Sequence, residues 1–125
     1  MAKSSPVKRV LFVRFFKSDS GDEPVREWLR ALGIEDRKAI GDDIKTVELG
    51  WPIGMPLVRK MEPDLWEVRI DLYKRIARVL FTVAEDQMIL LHGFIKKSQE
   101  TLKAHLKLAQ TRLRQLRDSL ASEKS

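Results

Sequence analysis

The sequence predicts an α+β domain of order β-α-α-β-β-β-α, a small antiparallel sheet with two helices before it and one after. Three observations carry that expectation. In "LWEVRI" at 65–70, Trp66, Val68 and Ile70 share one face while Glu67 and Arg69 share the other, the two-residue period of a half-buried strand. "RIARVLFTVA" at 75–84 repeats that period, with Ala77, Val79, Phe81 and Val83 opposite Ile76, Arg78 and Leu80. Leu102, Leu106, Ala109, Leu113, Leu116 and Leu120 then step by four and three residues, which makes one stripe along a helix.

The other elements follow in chain order. "KRVLFVRFF" at 8–16 is rich in β-branched and aromatic residues and reads as the first strand. "KSDSGDEP" supplies turn chemistry, and Pro24 suits the first position of a helix. Val25, Trp28, Leu29 and Leu32 recur at helical spacing up to Gly33, a natural stop. A second helix from about Glu35 to Leu49 turns Ile40, Ile44 and Val47 inward and ends at Gly50. "WPIGMPLVRKMEPD" holds three prolines and reads as an ordered loop leading into the strands. "DLYK" joins the two alternating strands as a hairpin, and "EDQ" turns the chain into the last strand, "MILLHGFI". Ser98 or Thr101 suits the cap of the final helix.

A chain of 125 residues is expected to form one domain, 1–125, with 1–6 and 121–125 frayed. Its 43% apolar and 34% charged residues are a globular mixture, not a disordered one. The absence of cysteine excludes disulfides, a thiolate nucleophile and a cysteine zinc site. Two histidines without a carboxylate cluster make no metal motif. No apolar run approaches the ~20 residues that span a bilayer. The basic start leads only into a short strand, too short for a secretory signal, so a cytoplasmic protein is expected.

The net charge of +6 favours a polyanionic partner, nucleic acid above all. The charge is uneven: residues 19–48 carry nine acids against five bases, whereas residues 49–125 carry fourteen bases against nine acids. A polyanion is therefore expected on the second half of the chain.

"PVREWL" at 24–29, "GMPLVRKMEPDLWEVRI" at 54–70, "RIARVLF" at 75–81 and "ILLHGFIKKSQETLKAHLKLA" at 89–109 together resemble the RelE/HigB superfamily of toxins, in particular its phage-related HigB-like branch. The resemblance runs from the first helix to the last. It implies a type II toxin–antitoxin toxin that cleaves messenger RNA, usually at the ribosome, and is neutralised by a helix-turn-helix, HigA-like antitoxin. It implies no cofactor and no metal. Carried over by position, the catalytic candidates are Arg69 of "LWEVR", Arg78 of "ARVLF", and Lys96 and Lys97 of "FIKKSQ". Where many relatives are glycine-rich, this chain has "DLYKR", which makes Lys74 and Arg75 accessory RNA contacts and Tyr73 a weak stacking candidate.

Cleaving RNA through its own 2′-OH requires removal of that proton, stabilisation of charge growing on phosphorus, and a proton for the leaving 5′-oxygen. Arginine suits the second task, because its planar fork matches phosphate bidentately and stays charged. A free lysine at ~10.4 is a poor base, but neighbouring cations and burial lower it. In a regular last strand Lys96 and Lys97 point to opposite faces, and Gly93 permits a bulge that selects between them. Lys103 and Lys107, with Arg112, Arg114 and Arg117, are further phosphate contacts or an ordinary solvated helix face. His92 reads as a hydrogen-bonded structural histidine and His105 as a packing or surface residue. Trp66 reads as core, and Trp51 is open between packing and base stacking.

Two other readings fit the same residues. One is a protein-binding toxin of the same fold that poisons DNA gyrase, which predicts double-strand DNA breaks instead of cuts in mRNA. The other is a non-catalytic RNA-binding module, which predicts salt-sensitive binding without cleavage.

Overall fold

A computed structural model of the chain describes residues 8–96 and 102–124. Its elements are β1 (Phe12–Phe15), α1 (Pro24–Ala31), α2 (Ile34–Gly50), β2 (Val58–Glu62), β3 (Leu65–Leu72), β4 (Arg75–Ala84), β5 (Gln87–Lys96) and α3 (Leu102–Lys124). The fold is α+β, in the expected order, with β2 added from the segment read as a loop. Val58 is buried and pairs with Val68, while prolines at 52, 56 and 63 flank the strand and leave its own residues free to donate. Ser98 and Thr101, the expected caps of α3, lie outside the described residues, as do residues 1–6.

The five strands form one sheet in the order β1-β5-β4-β3-β2. It is mixed instead of wholly antiparallel, because β1 runs parallel to β5. The strands from β2 to β5 are joined by two-residue connections that force antiparallel pairing, whereas β1 reaches β5 after two helices and the rest of the sheet. Those three connections each hold one non-glycine residue at positive φ: Asp64 at 64°, Lys74 at 56° and Glu85 at 56°.

Alternation sorts the sheet's side chains onto two cores. Val68, Ile70, Ala77, Val79 and Phe81 meet Val25 of α1 and Ile40, Ile44 and Val47 of α2. Leu65, Leu80, Ile89, Leu91 and Phe94 meet Ala109, Leu113 and Leu116 of α3, so the leucine stripe is core. Burying a side chain of this size stabilises by about 1.5–3 kcal/mol, which makes these two faces the main source of cohesion. Trp51 belongs to the first core: its ring meets Trp66 edge-on at 5.1 Å and Phe81 at 5.8 Å. Its role is therefore packing.

Strand β5 carries the expected bulge, but not at Gly93. Leu80 pairs with His92 and Phe81 with Leu90, which leaves Leu91 as the extra residue. Gly93 answers to a different demand. A Cβ there would lie 2.4 Å from Cε3 and Cζ3 of Trp28, so glycine lets the α1 tryptophan sit on the strand.

No helix among the described residues is long and apolar enough to cross a membrane.

Candidate active site

The bulge decides what the end of β5 presents. Ile89 and Leu91 point to α3, and the extra residue shifts the phase so that Phe94 points there too while Ile95 turns to the other core. Lys96 therefore lands on the α3 face, opposite Ile76, one row beyond the Arg69–Arg78–Phe94 row. Residues directly opposite one another share a face. Arg69, Arg78 and Lys96 are thus brought to one side of the sheet, two of them directly paired. Lys97 lies outside the described residues.

The three cations sit in different surroundings. Arg69 is exposed and lines an open groove of about 630 Å³ with Asp43, Pro56, Leu57 and Asp71. Burial, then the neighbouring Asp71 and Asp42, push the Asp43 carboxyl above its ordinary range. Arg78 is only 7% exposed and Glu67 only 2%, and Arg78 Nη1 lies 3.4 Å from Glu67 Oε2. Arg78 Nε is buried without a hydrogen-bond partner among the described residues. An arginine in this position keeps its charge, so it depends on Glu67 as its counter-ion. Arg78 and Lys96 also line a small cavity with Phe94 of the sheet and Leu102 and His105 of α3.

The accessory candidates do not gather there. Lys74 occupies the β3–β4 turn, its Nζ 5.3 Å from the Tyr73 ring. Arg75 is tied to α2 by two contacts of 2.9 Å with the Asp36 carboxylate. Lys103 and Lys107 are exposed on the first turns of α3. On the same helix Arg117 reaches Asp64 at 2.8 Å, closing the far end of the face.

Sequence reasoning missed Glu67, which looked like the solvated partner of Arg69 in an alternating strand. Its signal was chemical. An arginine on a sheet face covered by a leucine-striped helix needs a counter-ion, and the diagonal cross-strand position supplies one. His92 and His105 form a second unit that spacing could not reveal. His92 Nε2 and His105 Nδ1 are 2.8 Å apart, and the His105 ring lies parallel to Phe94 with centroids 3.6 Å apart. Arg112 of α3 donates to the Leu91 carbonyl at 2.8 Å and lies 3.3 Å from His92 Nδ1. Its guanidinium thus satisfies the backbone at the bulge, and burial draws its pKa below the usual value.

The model of the phage-derived Gp49-like protein family matches residues 27–114. The chain belongs to this family. The Gp49-like family is a RelE-like toxin family, and membership implies an antitoxin partner. The matched segment runs from within α1 to within α3, and so takes in Glu67, Arg69, Arg78, His92, Lys96, His105 and Arg112 of this Gp49-like chain. No curated protein matches the chain.

Proposed function

We propose that this Gp49-like chain is the toxin of a type II pair of the HigB-like branch and acts as a messenger RNA endonuclease at the ribosome. The observation that carries the reading is the gathering of Arg69, Arg78 and Lys96 on one sheet face by strand register and the β5 bulge. In the reaction the 2′-oxygen attacks the adjacent phosphorus, the 2′-O–P bond forms and the P–O5′ bond breaks. The products are a 2′,3′-cyclic phosphate and a free 5′-hydroxyl. Arg69 grips the incoming backbone from the open groove. Arg78, held by Glu67, faces the charge that develops on the phosphoryl oxygens. Lys96 assists proton transfer, with Lys97 as the neighbouring cation. Lys74, Lys103 and Lys107 supply outer phosphate contacts, whereas Arg75 is engaged by Asp36, and a helix-turn-helix antitoxin is the neutralising partner.

Leu102 and His105 line the Arg78 cavity, so the first turn of α3 must yield when RNA reaches that guanidinium. Phosphate is attracted there because a buried arginine whose Nε has no partner among the described residues gains one.

Mapping mRNA 5′ ends after brief induction, and again in vitro with and without ribosomes, tests the reading. The expected result is 5′-hydroxyl ends within codons that appear with ribosomes and disappear in Lys96→Ala. Intact mRNA with double-strand DNA breaks would sink the reading in favour of a gyrase poison. RNA binding without cuts would sink it in favour of a passive RNA binder.

A further inference from the structure

We infer that the groove between β3 and α2 takes a guanine base of the bound RNA, with the carboxylates of Asp71 and Asp43 accepting from its N1–H and 2-amino group. The inference rests on the reading that RNA runs along Arg69, and it adds a base-selective pocket beside that backbone contact.

The groove exists because β3 runs on past its edge partner. β2 begins at Val58, opposite Val68, and Leu57 still accepts from the Arg69 amide at 2.8 Å. Before that point the chain turns aside at Pro56, so the end of β3 has Asp43 of α2 beside it instead of a strand. The space left is about 630 Å³. Sites for small organic ligands run from roughly 300 to 1000 Å³, so a base has room. Pro56 and Leu57 supply an apolar wall for its ring face.

The polar groups of this groove are left over by the rest of the fold. Arg75 takes Asp36, Arg78 takes Glu67, and Arg117 takes Asp64. Arg69 shares the groove with two carboxylates, yet among the described residues no side-chain hydrogen bond or ion pair holds Arg69, Asp43 or Asp71. Burial first, then repulsion from Asp71 and Asp42, raises the proton affinity of Asp43. Carboxylates crowded in this way gain from N–H donors. A phosphate brings only acceptors and is repelled, so the part of RNA that enters is a base.

Guanine is the base that fits two acceptors side by side. Its N1–H and amino group place three N–H bonds along one edge, enough for one carboxylate bidentately and the other singly. Adenine and cytosine set a ring-nitrogen lone pair beside the amino group, and uracil sets a carbonyl on each side of N3–H. Each of these aims a lone pair at a carboxylate. Guanine O6, next to N1–H, calls for a donor. Arg69 has five N–H bonds, enough for this oxygen and a backbone phosphate together. A cationic side chain of a protein partner would also suit the carboxylates, but Arg69 repels it. Asp71 and Asp43 are therefore base-binding residues that set sequence preference and take no part in bond cleavage.

Short 2′-O-methyl oligouridines, which lack the attacking 2′-hydroxyl, carry one central guanosine, inosine or adenosine and are titrated into the full chain. The guanosine oligomer is expected to bind about tenfold more tightly than the adenosine one. Inosine, which keeps N1–H and lacks the amine, is expected between them. Asp71→Asn, at an exposed position, is expected to shrink the guanosine-to-adenosine ratio to within about twofold. A ratio taken within each protein cancels any general loss of folding. Equal binding of the two oligomers by wild type, binding of neither, or an unchanged ratio in Asp71→Asn overturns the inference. Asp71-dependent binding of N-acetylarginine amide without a base preference overturns it in favour of a basic protein partner. A guanosine preference in a wild type that leaves mRNA uncut sinks the endonuclease reading alone, and cuts in mRNA without that preference sink this inference alone.

Discussion

Arg78 and Glu67 form an ion pair of 3.4 Å inside the sheet, and neither stands directly opposite the other. Arg78 is opposite Arg69 and Glu67 is opposite Leu80, so the carboxylate reaches the guanidinium along the diagonal. The arrangement lets two arginines share one row: the buried one is neutralised from the next row, and the exposed one remains available to solvent and ligand.

Removing one partner of that pair is therefore expected to cost far more than removing both. Glu67→Gln should lower stability by about 3–5 kcal/mol, because it leaves a buried cation without a counter-charge. The double variant Glu67→Leu, Arg78→Met should recover most of this loss while abolishing mRNA cleavage. Urea denaturation of wild type, Glu67→Gln and the double variant, with a cleavage assay on each, reads both effects.

Arg69 should behave in the opposite way. It is exposed, so Arg69→Ala should change stability by less than about 0.5 kcal/mol. If it contacts one RNA phosphate, the slope of log affinity against log salt should shrink by about 0.7. Arg75→Ala, which loses the Asp36 contacts, should show the reverse profile, with a small loss of stability and little change in slope. RNA-binding titrations at several salt concentrations distinguish the two.

Lys96→Ala should reduce mRNA cleavage about 100-fold, the usual effect of losing one aimed donor in a reacting site. The fold should be unaffected, since the side chain is exposed. Single-turnover cleavage on programmed ribosomes measures this, and near-wild-type rates would remove Lys96 from the site.

Gly93→Ala should destabilise by about 1–3 kcal/mol, because the new methyl group would overlap the Trp28 ring. A second change, Trp28→Leu, should relieve part of that penalty. Thermal unfolding of the two single variants and the double variant tests the contact.

Asp43 gives a pH dependence of definite sign. Burial, Asp71 and Asp42 all favour its protonated form in the folded chain. The folded state thus binds this proton more tightly than the unfolded state, and acidification favours folding at this group. Asp43→Asn should therefore be more stable than wild type at about pH 7, with the advantage fading as pH falls through the raised pKa toward the ordinary ~3.9 of Asp. Urea midpoints of both proteins across that range provide the check.

The periodicities of β3, β4 and α3 determined the fold class by themselves, because a two-residue period needs a sheet and the leucine stripe needs a surface to pack on. They also placed Arg69 and Arg78 on the same side of neighbouring strands, since alternation and a short connection leave no other choice. The edge strand β2 was not legible, because the prolines around it look like a loop and only pairing with β3 makes five residues a strand. The parallel pairing of β1 was hidden as well, as it joins residues far apart in the chain. At the site, local pattern named the cations but not what holds them. Glu67 acquires its role from a diagonal contact, and His92, His105 and Arg112 from the docking of α3. Most of all, the choice of Lys96 for the α3 face depends on one extra residue at Leu91. A bulge is a property of two strands in register, and so it exists only once the sheet has formed.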